Sequence, residues 1–302
     1  MVFSIIKSLI LPQDNPYVSG GMGIVERYKS NKTFWDKHFE LSRSFQRNNI
    51  LEASTNGRII VYGAGRLFDL AQDVVIDNFS EVVLVDADPV AKIAWRKFIK
   101  TNRDKKTQIQ GEIVEITGAI KNWSRHLAEQ FRSRKTLSEE ALAECIASVL
   151  AVPTEPWSPP LADCAISLNL MGQIPLVWRD AVLDLVEQCF PNLLDQYGMV
   201  TGRAKEALVR TMRELQIVHL EQLKAAQPKR IIIISDDEFY FYTEKCAEWE
   251  VEKALFISDM IPPSGYKVSA SNSWLWHIAR EGIEEDEFGS IHRIIAFCLD
   301  KN

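Results

Sequence analysis

Gly63 and Gly65, in the stretch "RIIVYGAGRLFDL", and Asp86, which ends "EVVLVD", are the residues whose types and spacing could do chemistry. A glycine takes backbone angles barred to other residues and leaves no side chain in a ligand's way. A helix starting just after the pair, predicted over 67–78, would aim its free N–H groups at the same spot. A carboxylate at the tip of the next strand, roughly 20 residues on, can accept hydrogen bonds from ribose hydroxyls. Charge-assisted bonds of that kind contribute about 1.5–3 kcal/mol. Strand, Gly-x-Gly, helix, strand, Asp therefore reads as a site for adenosine. The plain alternative is a tight turn and a solvated acid, and Gly-x-Gly outside a βαβ unit would carry little.

Phe68 narrows the choice of ligand. A dinucleotide fingerprint, G-x-G-x-x-G, wants a small residue there so that a pyrophosphate can approach the helix. A cofactor with adenosine but no phosphates, such as S-adenosylmethionine, tolerates the ring. Its carboxylate could meet Arg66, whose other reading is a surface cation beside the turn. Asp69 reads as a first-turn acid that favours the helix dipole.

Proton transfer during catalysis would call for a base. His219 in "ELQIVHLEQL", His38 in "FWDKHFEL" and His277 in "WLWHIA" are the candidates. For each alone, a surface or core role is the commoner fate. No Ser-His-Asp set and no metal-ligand spacing is visible, so no metal is expected. Asp236 and Asp237 end a strand, where open α/β sheets bind ligands, but read more simply as turn residues. Tyr240 and Tyr242 alternate with Phe239 and Phe241, as along an edge strand. Arg27 could reach an anionic group, while Phe34 and Trp35 read as packing residues.

The elements that would position these residues follow from periodicity. "RIIVY", "EVVLV", "IQGEIVEIT", "CAISLNL" and "RIIIIS" are apolar, β-branched runs. Helical stretches separate most of them, at 67–78, 90–101, 120–150, 175–190 and 203–225. Buried strands alternating with helices mean a parallel sheet covered on both faces. Residues 24–54 read as helices, giving a helical N-terminal cap over 1–55 and a Rossmann-like domain over 56–302. Residues 119–160 read as a helical and proline-rich insertion, with a capping box at Thr136–Glu139. The C-terminal segment reads as an antiparallel hairpin around an acidic loop. "MVFSIIKSLILPQDNP" reads as an amphipathic helix ended by Pro12, not a signal peptide or membrane span.

Composition sets the class. The 302 residues are 46% hydrophobic and 25% charged, as in a soluble globular protein. The net charge is -6, from 35 basic and 41 acidic residues. No Lys/Arg cluster stands out on this reading, so a nucleic-acid partner is not expected. The five cysteines form no C-x-x-C pair, which points to a reducing cytoplasm rather than a disulfide framework.

"IIVYGAGRLFDL…EVVLVDADP…IVEITG…DCAISLNLMGQIP" resembles the class I S-adenosylmethionine-dependent methyltransferases. The resemblance covers roughly 58–299, with the signature motifs in 58–175. It implies a mostly parallel seven-stranded sheet whose last strand, in "IHRIIAFCLD", is antiparallel. It also implies cofactor contacts from Gly63, Ala64, Gly65 and Arg66, from Asp86 and Ala87 at the ribose, and from Glu115 beside the adenine. Asn169 and Leu170 would face the methionine end. Many members carry an acid two residues before the first glycine; here that position is Val61. "NLMGQIP" lacks the N/D-P-P-Y pattern of amide and base methylation, which leans towards a small-molecule acceptor. The expectation is a cytoplasmic methyltransferase that needs no membrane. The rivals are a nicotinamide-dependent oxidoreductase, an aminopropyl transferase and a non-catalytic binding module.

Overall fold

The computed structural model describes residues 17–50, 57–243, 246–282 and 288–302. The expected helix before Pro12 lies outside them. Five strands form the parallel part of one sheet: β1 (Arg58–Tyr62), β2 (Glu81–Asp86), β3 (Gln108–Ile113), β4 (Cys164–Leu168) and β5 (Arg230–Thr243). Their continuous apolar character is what burial on both faces demands; Ile59 to Tyr62, Val82 to Val85 and Ile231 to Ile234 are all fully buried. β6 (Cys246–Lys253), β7 (Tyr266–Ala279) and β8 (Gly289–Lys301) are antiparallel to their neighbours. The strand order is β3-β2-β1-β4-β5-β8-β7, with β6 paired to the outer part of β5. This is the Rossmann-like α/β sheet with antiparallel last strands that the resemblance implies. β6 is an eighth strand.

Two helices precede the sheet, α1 (Tyr17–Ser30) and α2 (Lys32–Ile50). α2 lays Trp35, Phe39, Phe45 and Ile50 against the sheet in one of the two core clusters. The crossovers carry α3 (Gln72–Asn78), α4 (Ala91–Thr101), α5 (Ile120–Arg132), α6 (Glu139–Ser148), α7 (Leu170–Cys189) and α8 (Gly202–Ala225).

Three local expectations are corrected. The helix expected at 67–78 begins only at Gln72, and 63–71 is an irregular loop. Leu67 has a positive φ of 62°, and Leu67, Leu70 and Ala71 are buried at helical spacing but on a backbone that is not helical. The third strand ends at Ile113, so 114–117 is loop. α6 is capped by Ser138, whose hydroxyl accepts from Ala141 N–H, not by Thr136.

α7 contains Pro175. Proline lacks the N–H that would bond to Met171 C=O. Gln216 Nε2 of α8 donates to that carbonyl instead, and also to Ala254 C=O at 2.7 Å. Gln216 Oε1 accepts from Phe256 N–H at 2.8 Å, so one buried amide stitches α7, α8 and the loop after β6.

Candidate cofactor site

The glycine turn is laced to the second strand. Gly63 and Ala64 both donate N–H to Val85 C=O, at 2.9 and 3.1 Å, and Leu67 N–H goes to Ala64 C=O at 2.9 Å. Gly65 N–H donates to Asp86 Oδ2 at 2.8 Å. These amides are therefore satisfied within the protein and are not offered to an anion. Gly63 is obligatory on two counts: its φ is +70°, and an added Cβ would lie 2.3 Å from Leu168 C=O. Gly65 has φ +42° but more room, with Asp86 Oδ2 3.8 Å from its virtual Cβ.

Asp86 is gripped from both sides, since Asp88 N–H donates to Oδ1 at 2.8 Å. Desolvation raises its pKa, and the backbone amides of Asp88, Gly65 and Ala87 oppose that rise. A carboxylate has about four acceptor positions; the amides of Asp88, Gly65 and Ala87 face this one, which leaves room for a ligand hydroxyl. Asp86 and Ala87 form one lip of a cleft of about 440 Å³ of empty space. Glu115 and Ile116 lie on another wall, and Leu170, Gln173 and Val177 of α7 close it. Glu115 is held in place by Thr117, whose N–H and hydroxyl both donate to Oε1, at 2.8 and 2.6 Å.

Asn169 and Asp69 meet at the next strand ends. Asn169 precedes α7 in the left-handed region, with φ 59°, a conformation Asn tolerates better than most residues. Its N–H donates to Ile234 C=O at 2.7 Å, tying β4 to β5. Its Nδ2 donates to Asp69 Oδ2 at 3.1 Å, and its buried Oδ1 has no hydrogen-bond partner among the described residues. Asp69 is half-buried and makes no ion pair among the described residues; desolvation pushes its carboxyl up to about 6. Asp69 is thus no first-turn helix acid. Ser42 and Gln46 of α2 donate to its backbone C=O, at 3.0 and 2.7 Å, and fix the loop. Sequence reasoning missed the pairing because the two residues lie 100 positions apart.

Each of the three candidate histidines takes a packing role, the commoner fate of a lone histidine. His219 is fully buried, its Nε2 2.8 Å from Ser167 Oγ, and desolvation lowers its pKa to about 3. His38 is buried, stacks on Trp276 at 3.9 Å between ring centroids, and accepts from Trp274 Nε1 through Nδ1. Burial first, and then nearby His292, lower its pKa to about 3. His277 stacks on Phe34 at 5.4 Å. None of the three lines the cleft.

His292 is the histidine with a catalytic-type partner. Its Nδ1 lies 2.8 Å from Asp236 Oδ1, and its side chain keeps 20% exposure while that of Asp236 keeps 4%. Asp236 packs against Gly172, whose virtual Cβ would lie 3.2 Å from Oδ2. The dyad thus borders the first turn of α7, the turn that supplies Leu170 and Gln173 to the cleft. With Nδ1–H held by a carboxylate, Nε2 is the nitrogen free to exchange a proton. Asp237 pairs with Arg293 instead. Tyr240 donates to Glu238. Trp35 packs as expected, its Nε1 donating to Ile278 C=O at 2.9 Å. Arg27 lies over the Trp35 ring at 5.7 Å. Phe68 joins an aromatic wall with Tyr28 and Phe39, at 5.2 and 5.6 Å between centroids.

Among the described residues, no group of three or more His, Cys, Asp or Glu could hold a metal ion. No described helix is long and apolar enough to cross a membrane.

No family model and no curated protein matches the chain. Solved structures that resemble it include S-adenosylmethionine-dependent methyltransferases. Magnesium protoporphyrin IX methyltransferase from Synechocystis PCC 6803, with bound S-adenosylhomocysteine, is 8% identical with a TM-score of 0.41; the match covers 94% of this chain and 96% of that one. A presumed RNA methyltransferase from Pyrococcus horikoshii is 10% identical with a TM-score of 0.40, covering 88% and 81%. A presumed tRNA (m1A22) methyltransferase from Streptococcus pneumoniae, with S-adenosylmethionine, is 10% identical with a TM-score of 0.34, covering 88% and 72%. RNA methyltransferases among these structures overturn the expectation that excluded nucleic acid. That expectation rested on the absence of a Lys/Arg cluster, and residues 92–106 contain one: seven basic residues against one acid.

Proposed function

We propose that the chain binds S-adenosylmethionine at the C-terminal edge of its sheet and acts as a methyltransferase. The observation that carries the reading is a pair of half-buried carboxylates at the glycine turn: Asp86, which accepts from Gly65 N–H, and Asp69, four residues further on, which accepts from Asn169 Nδ2. Asp86 keeps acceptor capacity for a ribose hydroxyl, and Glu115, just past the end of the neighbouring strand, lines the same cleft beside the place for the adenine. Asp69 supplies the negative charge that Val61 lacks: a desolvated carboxylate beside the orphaned Asn169 Oδ1 suits an ammonium group. Both oxygens are acceptors, and an ammonium offers three donors. The residues therefore fit the methionine end of this cofactor as well as its nucleoside.

A nicotinamide dinucleotide fits less well. The amides of Gly63, Ala64 and Gly65 are already bonded, so no cradle of free N–H groups faces a pyrophosphate. When bound, the cofactor would supply an electrophilic methyl on a sulfonium. The protein's part is then alignment, which can lower a barrier by ~7–11 kcal/mol. Asp236 orients His292 so that Nε2 can accept a proton from an arriving acceptor.

Calorimetric titration tests the assignment. S-adenosylhomocysteine is expected to bind wild type, and Asp86→Ala to bind about 10–100-fold more weakly, from loss of charge-assisted bonds. Tight NADH binding with no response to S-adenosylhomocysteine would reassign the site.

A further inference from the structure

α4 turns Ala91, Trp95 and Phe98 into the core. On the opposite arc stand Lys92, Arg96, Lys97 and Lys100, followed beyond the helix end by Arg103, Lys105 and Lys106, all exposed. Lys105 pairs with Asp77 at 3.0 Å. The other six make no ion pair with a described residue. Within 92–106 the only acid is Asp104, in a chain whose net charge is -6.

Stability does not account for this pattern. An ordinary solvated helix face alternates sign and gains from Glu–Lys pairs at i,i+4. Here Lys92, Arg96 and Lys100 follow each other at i,i+4, and each like-charge pair costs roughly 0.2–0.5 kcal/mol. Lys92 also opposes the helix dipole in the first turn; only the cations at the C-terminal end gain from it. The stripe leads to the cleft, because α4 begins five residues after Asp86.

We propose that this face of α4 and the loop after it is a docking surface for the phosphate backbone of a nucleic acid. Four charges one helical turn or less apart form a stripe that a phosphate chain can follow. No exposed aromatic interrupts it, so the contacts read charge and not base sequence. A membrane surface suits it less: an interfacial helix buries its own apolar face in lipid, and that face of α4 already lies in the core. Exposed Ile93 sits among the cations, between Lys97 and Lys100, and Ile99 lies roughly 120° away beside Lys92, so the two form no single apolar face. Docking there does not require the cofactor assignment; that the docked polymer carries the methyl acceptor does rest on it.

Fluorescence anisotropy with a labelled RNA oligonucleotide of about 20 nucleotides, at about 50 mM salt, tests the proposal. Binding is expected, with log affinity falling against log salt at a slope near -4 for about six contacts. The variant Arg96→Glu/Lys97→Glu/Lys100→Glu should bind at least about tenfold more weakly and show a shallower slope. The control Lys205→Glu/Arg210→Glu, on exposed positions of α8, should bind as wild type does. Melting temperature and S-adenosylhomocysteine affinity are read alongside, so loss of RNA binding is separable from unfolding and from failure of the cofactor site. No RNA binding by wild type, or equal binding by the α4 variant, overturns the proposal. So does binding to phosphatidylserine vesicles that the variant loses while the oligonucleotide is ignored.

Discussion

Asp69 is a carboxyl with restricted access to water, one amide donor and no ion pair among the described residues, and burial pushes it up to about 6. Its ordinary value is 3.8, so the folded protein holds the proton more tightly than the unfolded chain. Ionisation of Asp69 therefore costs stability above about pH 6, and the cost disappears below the unfolded value. Asp69→Asn should stabilise the ligand-free protein by about 1 kcal/mol at pH 7.5, with the difference fading towards pH 4; urea melts at the two pH values measure it. Ligand affinity should move the other way. S-adenosylhomocysteine should bind wild type about tenfold more weakly at pH 5 than at pH 7.5, and this slope should vanish in Asp69→Asn. A wild-type affinity flat across that range would remove Asp69 from the ammonium site.

At the scale of elements, the turn between β1 and α3 separates two uses of glycine. A side chain on Gly63 would collide with the Leu168 carbonyl as well as strain the backbone. Gly65 has space, so Gly65→Ala meets only the left-handed φ, which costs roughly 1–2 kcal/mol. Thermal denaturation should therefore show Gly63→Ala markedly less stable than Gly65→Ala. Equal melting temperatures would contradict the close approach of β1 and β4. The strands and most helices were legible because buried strands are continuous apolar runs and amphipathic helices repeat. The loop at 63–71 was not: Leu67, Leu70 and Ala71 imitate helical spacing, but they pack through a backbone that is not helical. β6 was overlooked although Ala247, Trp249 and Val251 alternate with Glu248, Glu250 and Glu252, a period-2 signal.

Over the whole molecule, Arg230 of β5 ties the first helical region to the antiparallel strand β8. It pairs with Asp300 of β8 and donates to Asn49 C=O at the end of α2. Arg230→Ala leaves both acceptors unmet and should cost about 2–4 kcal/mol at neutral pH. The Arg230 hydrogen bond holds Asp300 below its ordinary 3.8, so this contribution is present above that value and lost as pH falls beneath it. Acid titration of stability should show wild type and variant converging below about pH 4; a constant gap would assign the loss to packing alone. Long-range pairs of this kind, like Asp69 with Asn169 and Asp236 with His292, leave no local trace in sequence. The basic stripe of α4 was legible in sequence but hidden by a whole-chain charge of -6. Asp86 and Glu115 both line the cleft; the sequence offered Asp86 through its place at a strand end, and Glu115 only through the family resemblance.

A crystal structure with S-adenosylhomocysteine tests the two-carboxylate site most directly. Ribose hydroxyls within hydrogen-bond distance of Asp86, and the amino group within that distance of Asp69, are the predicted result. A ligand bound elsewhere, or an amino group turned away from Asp69, would contradict the account.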